Sequence, residues 1–245
     1  MTHSPNCDPD CSVARPRGLT LIACPAVLGE LAPGATDGVE CVTLDAQLHL
    51  SPEKLKEGLR VAVAAADRPG ATIALGYGLC SNAVLGLKTH AATLVVPRVD
   101  DCIAMMLGSN AAFAAQSEKV RGSYYLTKSY LEECDTILTE YDKLVEKRGA
   151  ERAEQLMRLL LNHYTRLVLI DTGRHDLAPY RDQVAEFAAR FDMTVEEVPG
   201  TITLLDALVV AGWGDDFVVA PPGHELTFAD FRTVPGTTWS NEPGE

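Results

Sequence analysis

Two periodicities divide this chain. Short apolar runs rich in β-branched residues and closed by proline, glycine or aspartate read as buried strands. They fall at 19–24 (LTLIAC), 39–44 (VECVTL), 71–75 (ATIAL), 93–96 (TLVV), 167–170 (LVLI), 193–198 (MTVEEV) and 217–220 (FVVA). Helical spacing fills most gaps between them. Ser51 followed by Pro52 is a helix start, and Leu55, Leu59, Val63 and Ala66 then repeat on one face until Pro69-Gly70. A short helix is expected after Asn82, and Asp100-Asp101 opens another that carries Ile103, Met105, Met106 and Leu107. Lys128 to Arg166 is charged and helical, divided at Gly149, with Leu156, Leu159, Leu160 and His163 as the face expected to pack on the sheet. Pro179 to Phe191 and Thr201 to Val210 are the last helices.

Strands and helices alternating at these lengths predict a Rossmann-like α/β fold, with mostly parallel sheet and helices on both faces. The first strand ends Ile22-Ala23-Cys24-Pro25, and a later one ends Ile170-Asp171-Thr172-Gly173. Their likeness predicts two pseudo-duplicated halves about a helical insert, with a single doubly wound sheet as the alternative. The division expected is a tail at 1–17, an N-terminal half at 18–126, a helical segment at 127–166, a C-terminal half at 167–225 and a tail at 226–245.

Composition narrows the classes. Of 245 residues 47% are hydrophobic and 22% charged, an ordinary globular balance, and the formal charge of −13 disfavours a nucleic-acid or anionic-membrane surface. No run approaches the roughly 20 apolar residues of a membrane span, and residues 1–17 hold no apolar signal core. Seven cysteines, an odd number with several inside strand runs, predict reduced thiols and a cytoplasmic protein.

Open parallel sheets bind ligands outside the carboxyl ends of their strands. Cys24 ends the first strand, Cys80 follows the third and Cys102 follows the fourth, so three thiols are expected at one sheet edge. Thiolates are soft ligands, and three of them suit zinc or a 4Fe-4S cluster with one position open, which His49 could fill. The alternative is that each cysteine is a small packing residue, since no CxxC pair is present among the three. Cys41 and Cys134 are read as packing residues, and Cys7 with Cys11 as a second metal option in the tail. Gly76, Gly78 and Asn82, in the turn Gly76-Tyr77-Gly78-Leu79-Cys80-Ser81-Asn82, would let the backbone approach a cofactor closely. The turn lacks the full dinucleotide or nucleotide-triphosphate fingerprint. Arg98 is a candidate to bind a substrate carboxylate or lower a thiol pKa; Asp101 is either a catalytic carboxylate or a helix N-cap. Tyr125, in Gly122-Ser123-Tyr124-Tyr125-Leu126-Thr127, is the third catalytic candidate, and Thr127 a helix N-cap.

Four segments, Gly76 to Asn82, Pro97-Arg98-Val99-Asp100-Asp101-Cys102-Ile103, Gly122 to Thr127 and Ile170 to Gly173, resemble in order the domain of unknown function DUF1638, over about Leu19 to Pro222. Members of that family often carry Gly where this chain has Ser81. Some relatives occur beside corrinoid-dependent methyltransferase systems, so the resemblance implies, by association, one-carbon or methyl-transfer metabolism and a corrinoid-protein or methyltransferase partner. Three functions are carried forward. One is a metal–thiolate enzyme, a transferase or lyase acting on a small molecule. Another is a metal-free binding or accessory protein, for which Arg98, Tyr124 and Tyr125 would carry recognition. The third is a nucleophilic Cys80 or Cys102. A homo-oligomer is compatible with each.

Overall fold

The computed structural model describes residues 18–232. The strands are β1 (Leu19–Ala23), β2 (Glu40–Thr43), β3 (Thr72–Gly76), β4 (Thr93–Pro97), β5 (Ser123–Leu126), β6 (Arg166–Asp171), β7 (Thr194–Pro199) and β8 (Phe217–Ala220). The helices are α1 (Pro25–Leu28), α2 (Pro52–Ala66), α3 (Cys102–Met106), α4 (Asn110–Lys119), α5 (Lys128–Glu133), α6 (Ile137–Arg148), α7 (Ala150–Leu160), α8 (Ala178–Arg190), α9 (Thr203–Val210) and α10 (Phe228–Phe231). The fold is Rossmann-like α/β, built on two sheets. One has the order β2-β1-β3-β4-β8 and the other β5-β6-β7.

In the first sheet β1 pairs in parallel with β2 on one side and β3 on the other. The chain therefore reverses its progression between β1 and β3, and the loops leaving their carboxyl ends diverge to open a crevice there. Cys24 and the Gly76–Cys80 turn leave from those two ends. α2 covers this sheet as its periodicity predicts: Ser51 accepts the Lys54 amide, Pro52 occupies the first position, and Leu55, Leu59, Val63 and Ala66 are buried.

Long-range pairing differs from the local expectation in two places. β5, assigned from sequence to the N-terminal half, pairs with β6. β8, assigned to the C-terminal half, runs antiparallel to β4 from Leu94↔Ala220 to Pro97↔Phe217. α9 packs back on β1 and β3, so the chain returns to the first sheet and enters its edge from the opposite end.

Three local readings are also corrected. No helix follows Asn82; residues 81–86 are turns, because three left-handed residues in succession cannot start a right-handed helix. α7 buries Ala153 and Met157 against α6, whereas Leu159 and Leu160 are 70% and 59% exposed rather than packed on the sheet. Residues 226–232, read as tail, are part of the fold: Leu226 is buried, its amide donates to the Leu87 carbonyl and its carbonyl accepts from Gly86. Cys7 and Cys11 lie outside the described residues. No helix among the described residues is long and apolar enough to cross a membrane.

Candidate functional site

A cavity of about 360 Å³ opens between the two sheets. Its walls come from the ends of the elements that flank the crevice: Cys24 and Val27 after β1, His49 from the 3-10 turn Ala46–Leu50, Cys102 and Met106 from α3, Tyr124 and Tyr125 on β5, and Tyr130 and Cys134 from the α5 region. Asp135 and Gln47 stand on the same wall, and the Gln47 Nε2 donates to Asp135 Oδ2 at 3.0 Å, linking the first sheet's loop to the α5–α6 joint. Asp135 is also paired with Lys143 at 2.5 Å. Among the described residues no Lys or Arg lines the cavity.

Cys24, Cys102 and Cys134 line this space and Cys80 does not. Cys24 and Cys80 are buried, and Cys102 and Cys134 half-buried. Backbone amides temper the rise of the buried thiols: Val27 and Ala26 at Cys24, Gly78 and Cys102 at Cys80, and Ala26 at Cys134. Burial raises all four thiols. Cys80 is pushed up to about 12 by burial and then by the neighbouring Asp101 carboxylate. Cys134 is pushed up to about 11 by burial and then by Cys24. Tyr77 is 1% exposed, its hydroxyl has no hydrogen-bond partner among the described residues, and Cys24, Cys80, Cys102 and Cys134 are close enough to act on it electrostatically.

The turn that carries Cys80 is strained. Cys80, Ser81 and Asn82 have φ of 44°, 57° and 69°, each disfavoured for a side-chain-bearing residue by roughly 1–2 kcal/mol, least so for Asn. A Gly at the Ser81 position would remove that cost. The turn is held by two backbone bonds to the loop after β4, Leu79 N to Val99 O at 2.9 Å and Cys80 N to Asp100 O at 2.8 Å. Gly76 and Gly78 have a packing reason. A Cβ on Gly76 would lie 2.6 Å from the Ala23 Cβ, and one on Gly78 would lie 2.4 Å from the Val99 carbonyl oxygen. Asn82 is exposed and outside the cavity walls.

His49 reaches the cavity and stacks on Tyr77, with ring centroids 5.7 Å apart. Its Nδ1 lies 3.2 Å from the Ala46 carbonyl oxygen and donates to it in the neutral ring. Although the residue keeps an exposed edge, crowding at the cavity lowers its pKa, with the Ala46 bond opposing, which favours that neutral ring with an open Nε2. Tyr125 lines the cavity with an unpartnered hydroxyl.

Two charged candidates are engaged elsewhere. The Arg98 guanidinium donates to the Phe217 carbonyl at 3.0 Å and to the Asp230 carbonyl, tying β4 to β8 and α10, and it does not line the cavity. Its proposed lowering of a thiol pKa is therefore corrected: the thiols move up, not down. Asp101 caps α3 by accepting the Ala104 amide at 2.9 Å, as the N-cap alternative supposes.

Glu30, fully buried, joins the walls. Its carboxylate accepts the Ser129 amide of α5 at 3.2 Å and the Thr172 hydroxyl at the end of β6 at 2.7 Å, with His175 Nε2 at 3.6 Å. Sequence reasoning passed over Glu30, Tyr77 and Cys134. Only Cys134 left a readable trace, because Cys134-Asp135-Thr136 before Ile137-Leu138 is a helix-start signature that interrupts the long helix expected there.

The description "Protein of unknown function (DUF1638)" matches residues 43–209, about two thirds of the chain. The chain belongs to the DUF1638 family. The match is narrower than the likeness traced from Leu19 to Pro222; it takes in Cys80, Cys102, Tyr125 and Cys134, and leaves Cys24 outside. No curated protein and no solved structure matches this DUF1638 protein.

The thiols' raised pKa values make a kinetic prediction. In chelator-treated native protein at pH 7, Cys41, whose thiol is also raised but which is exposed, should be alkylated by iodoacetamide at least about tenfold faster than Cys80, which is both buried and less ionised. Peptide mapping by mass spectrometry reads this directly. Equal rates at the two positions would mean that the Cys80 turn opens freely and would favour a nucleophilic thiol.

Proposed function

We propose that this DUF1638 protein is a metal–thiolate protein, in which Cys24, Cys80 and Cys102 hold a 4Fe-4S cluster or zinc at the strand ends and the adjoining cavity takes a small-molecule substrate. The observation that carries this reading is the convergence of thiols from the ends of β1, β3 and β4 around a buried, unpartnered Tyr77 hydroxyl. Buried donors are almost always satisfied. A thiolate or sulfide beside that hydroxyl would accept its hydrogen bond, and a bound metal would deprotonate thiols that burial otherwise keeps neutral.

Among the described residues no three His, Cys, Asp or Glu side chains are grouped to hold a metal ion, so the preference for the cluster rests on the three thiols coming from separate loops. A cluster several ångströms across draws on thiols set further apart. Aromatic walls without Lys or Arg favour an uncharged or cationic substrate over a carboxylate or phosphate. The open Nε2 of His49 and the Tyr125 hydroxyl are the groups placed to exchange a proton or a hydrogen bond with it. A transferase or lyase reaction linked to methyl or one-carbon metabolism, with a corrinoid protein or methyltransferase as partner, follows from the family resemblance alone.

A second reading rests on the same raised pKa values. If the thiols remain protonated and merely pack, the cavity is a metal-free small-molecule site of a binding or accessory protein, and Tyr124 and Tyr125 carry recognition. Anaerobic purification followed by iron, zinc and sulfide analysis and visible absorption separates the two. Iron and sulfide in wild type, lost from Cys80→Ala, support the cluster. Stoichiometric zinc without colour supports the ion. Colourless, metal-free wild type that folds and melts like Cys80→Ala leaves the second reading.

A further inference from the structure

We propose that Cys134, not His49, is the fourth thiolate or imidazole ligand of this site, so that a cluster bound there would bridge the two sheets. The inference rests on the reading of Cys24, Cys80 and Cys102 as metal ligands and goes beyond it in naming a ligand from the helical segment.

Geometry singles out Cys134. It stands at the carboxyl end of α5 with extended backbone, φ −131° and ψ 158°, in the three-residue joint Cys134-Asp135-Thr136 before α6. No proline or glycine makes that joint. It is set by the Thr136–Thr139 capping box, which starts α6 afresh and turns Cys134 onto the cavity wall beside Cys24 and Cys102. Cys24, Cys102 and Cys134 thus line one cavity, and backbone amides lie near the sulfurs: Val27 and Ala26 by Cys24, Ala26 by Cys134, and Gly78 and Cys102 by Cys80. Amides so placed stabilise anionic sulfur, as they do around iron–sulfur centres.

A second observation points the same way. The unpartnered Tyr77 hydroxyl has all four thiols as its electrostatic neighbours, Cys134 included. His49 meets the other aspect of that residue, stacked on the ring and bonded to Ala46, away from its hydroxyl. The position of Cys134 relative to Cys24 is itself fixed, because Glu30, just beyond α1, holds the Ser129 amide in α5. Four soft thiolates from four separate segments are the ligand set of a cubane cluster.

The test is anaerobic reconstitution of the full chain with ferrous iron and sulfide. Wild type, Cys134→Ala, Cys134→Ser, His49→Ala and Cys41→Ala are compared by iron and sulfide content, electron paramagnetic resonance and rate of iron loss to a chelator. The expected result is that both Cys134 variants, with circular dichroism like wild type, lose iron about tenfold faster and change their resonance signal, while His49→Ala and Cys41→Ala match wild type. Cys134 variants that load and hold a cluster identical to wild type overturn this inference alone, as does a changed signal only in His49→Ala. Wild type that takes up neither iron nor zinc overturns it together with the function proposed above. The near-isosteric serine variant keeps the outcome readable if alanine unsettles the joint.

Discussion

Gly78→Ala is expected to destabilise the protein by about 3 kcal/mol, because the added methyl would be forced into backbone rather than into a movable side chain. Its Cβ would stand 2.4 Å from the Val99 carbonyl oxygen and 2.9 Å from the carbonyl carbon and Cγ2 of the same residue. Both sides of the contact are locked, since the next two amides of the turn, Leu79 and Cys80, are bonded to Val99 and Asp100. Relief requires parting the two loops that present Cys80 and Cys102. For a chain of this size a loss of 3 kcal/mol lowers the melting temperature by roughly 6–12 °C. Retention of the metal proposed above should fall with it, because the loops that present Cys80 and Cys102 part. Gly214→Ala is the control: nothing lies within 4 Å of its added methyl. Thermal melts of the two variants decide the matter, and a Gly78→Ala protein that melts with the Gly214→Ala control would show that the two loops do not hold each other.

Glu196→Ala is the second large effect expected. Arg166 is buried, with its side chain 2% exposed, and donates to Glu196 Oε2 at 2.5 Å, to Ser123 Oγ at 3.0 Å and to the Gln116 carbonyl at 3.2 Å. Removing the carboxylate leaves a buried guanidinium whose charge nothing balances, a change that costs roughly 3–5 kcal/mol in a closed interior. Glu196 keeps 30% of its side chain exposed, so water reaches the pair and about 2–3 kcal/mol is the better figure. Lys119 and then Arg166 hold the Glu196 carboxyl below its usual range. A lowered folded-state pKa gives stability that is present above the unfolded value, near pH 4, and lost as pH falls from there through the folded value. Chemical denaturation at pH 7 and pH 3 should therefore show a smaller gap between wild type and Glu196→Ala at the lower pH. Adding Arg166→Met should recover part of the loss, since an apolar side chain needs no partner. No recovery in the double variant would show that Glu196 acts through Lys119 instead.

The strand-end cysteines were legible because each follows an apolar run closed by proline, glycine or aspartate, and parallel strands send such ends to one edge. Thr127 and Ser51 were legible as caps for the same local reason. What escaped depends on partners far along the chain. Arg98 carries a charge that suggests substrate binding, but the carbonyls that engage it come from Phe217 and Asp230, more than a hundred residues later. β8 is four residues long, and nothing within those residues specifies antiparallel pairing with β4. The left-handed run at Cys80-Ser81-Asn82 has only Asn82 to announce it. Cys134 was hidden by treating a charged, helix-favouring stretch as continuous across a capping signal.

β6 alternates in a way that bears on how a ligand could enter. Val168 and Ile170 face the core built on the first sheet, while Leu167 and Leu169 face the core of the α6–α7–α8 side. One strand is thus the party wall of two rooms, and parting the sheets would strip apolar surface from both at once. The cavity between them is a slot with fixed sides, unlike the jaws of a hinged binding protein. Traffic in and out falls to the threshold, where the Gln47–Asp135 bond joins the two exposed lips. A guest would be admitted by a door a few residues wide, with the house standing still.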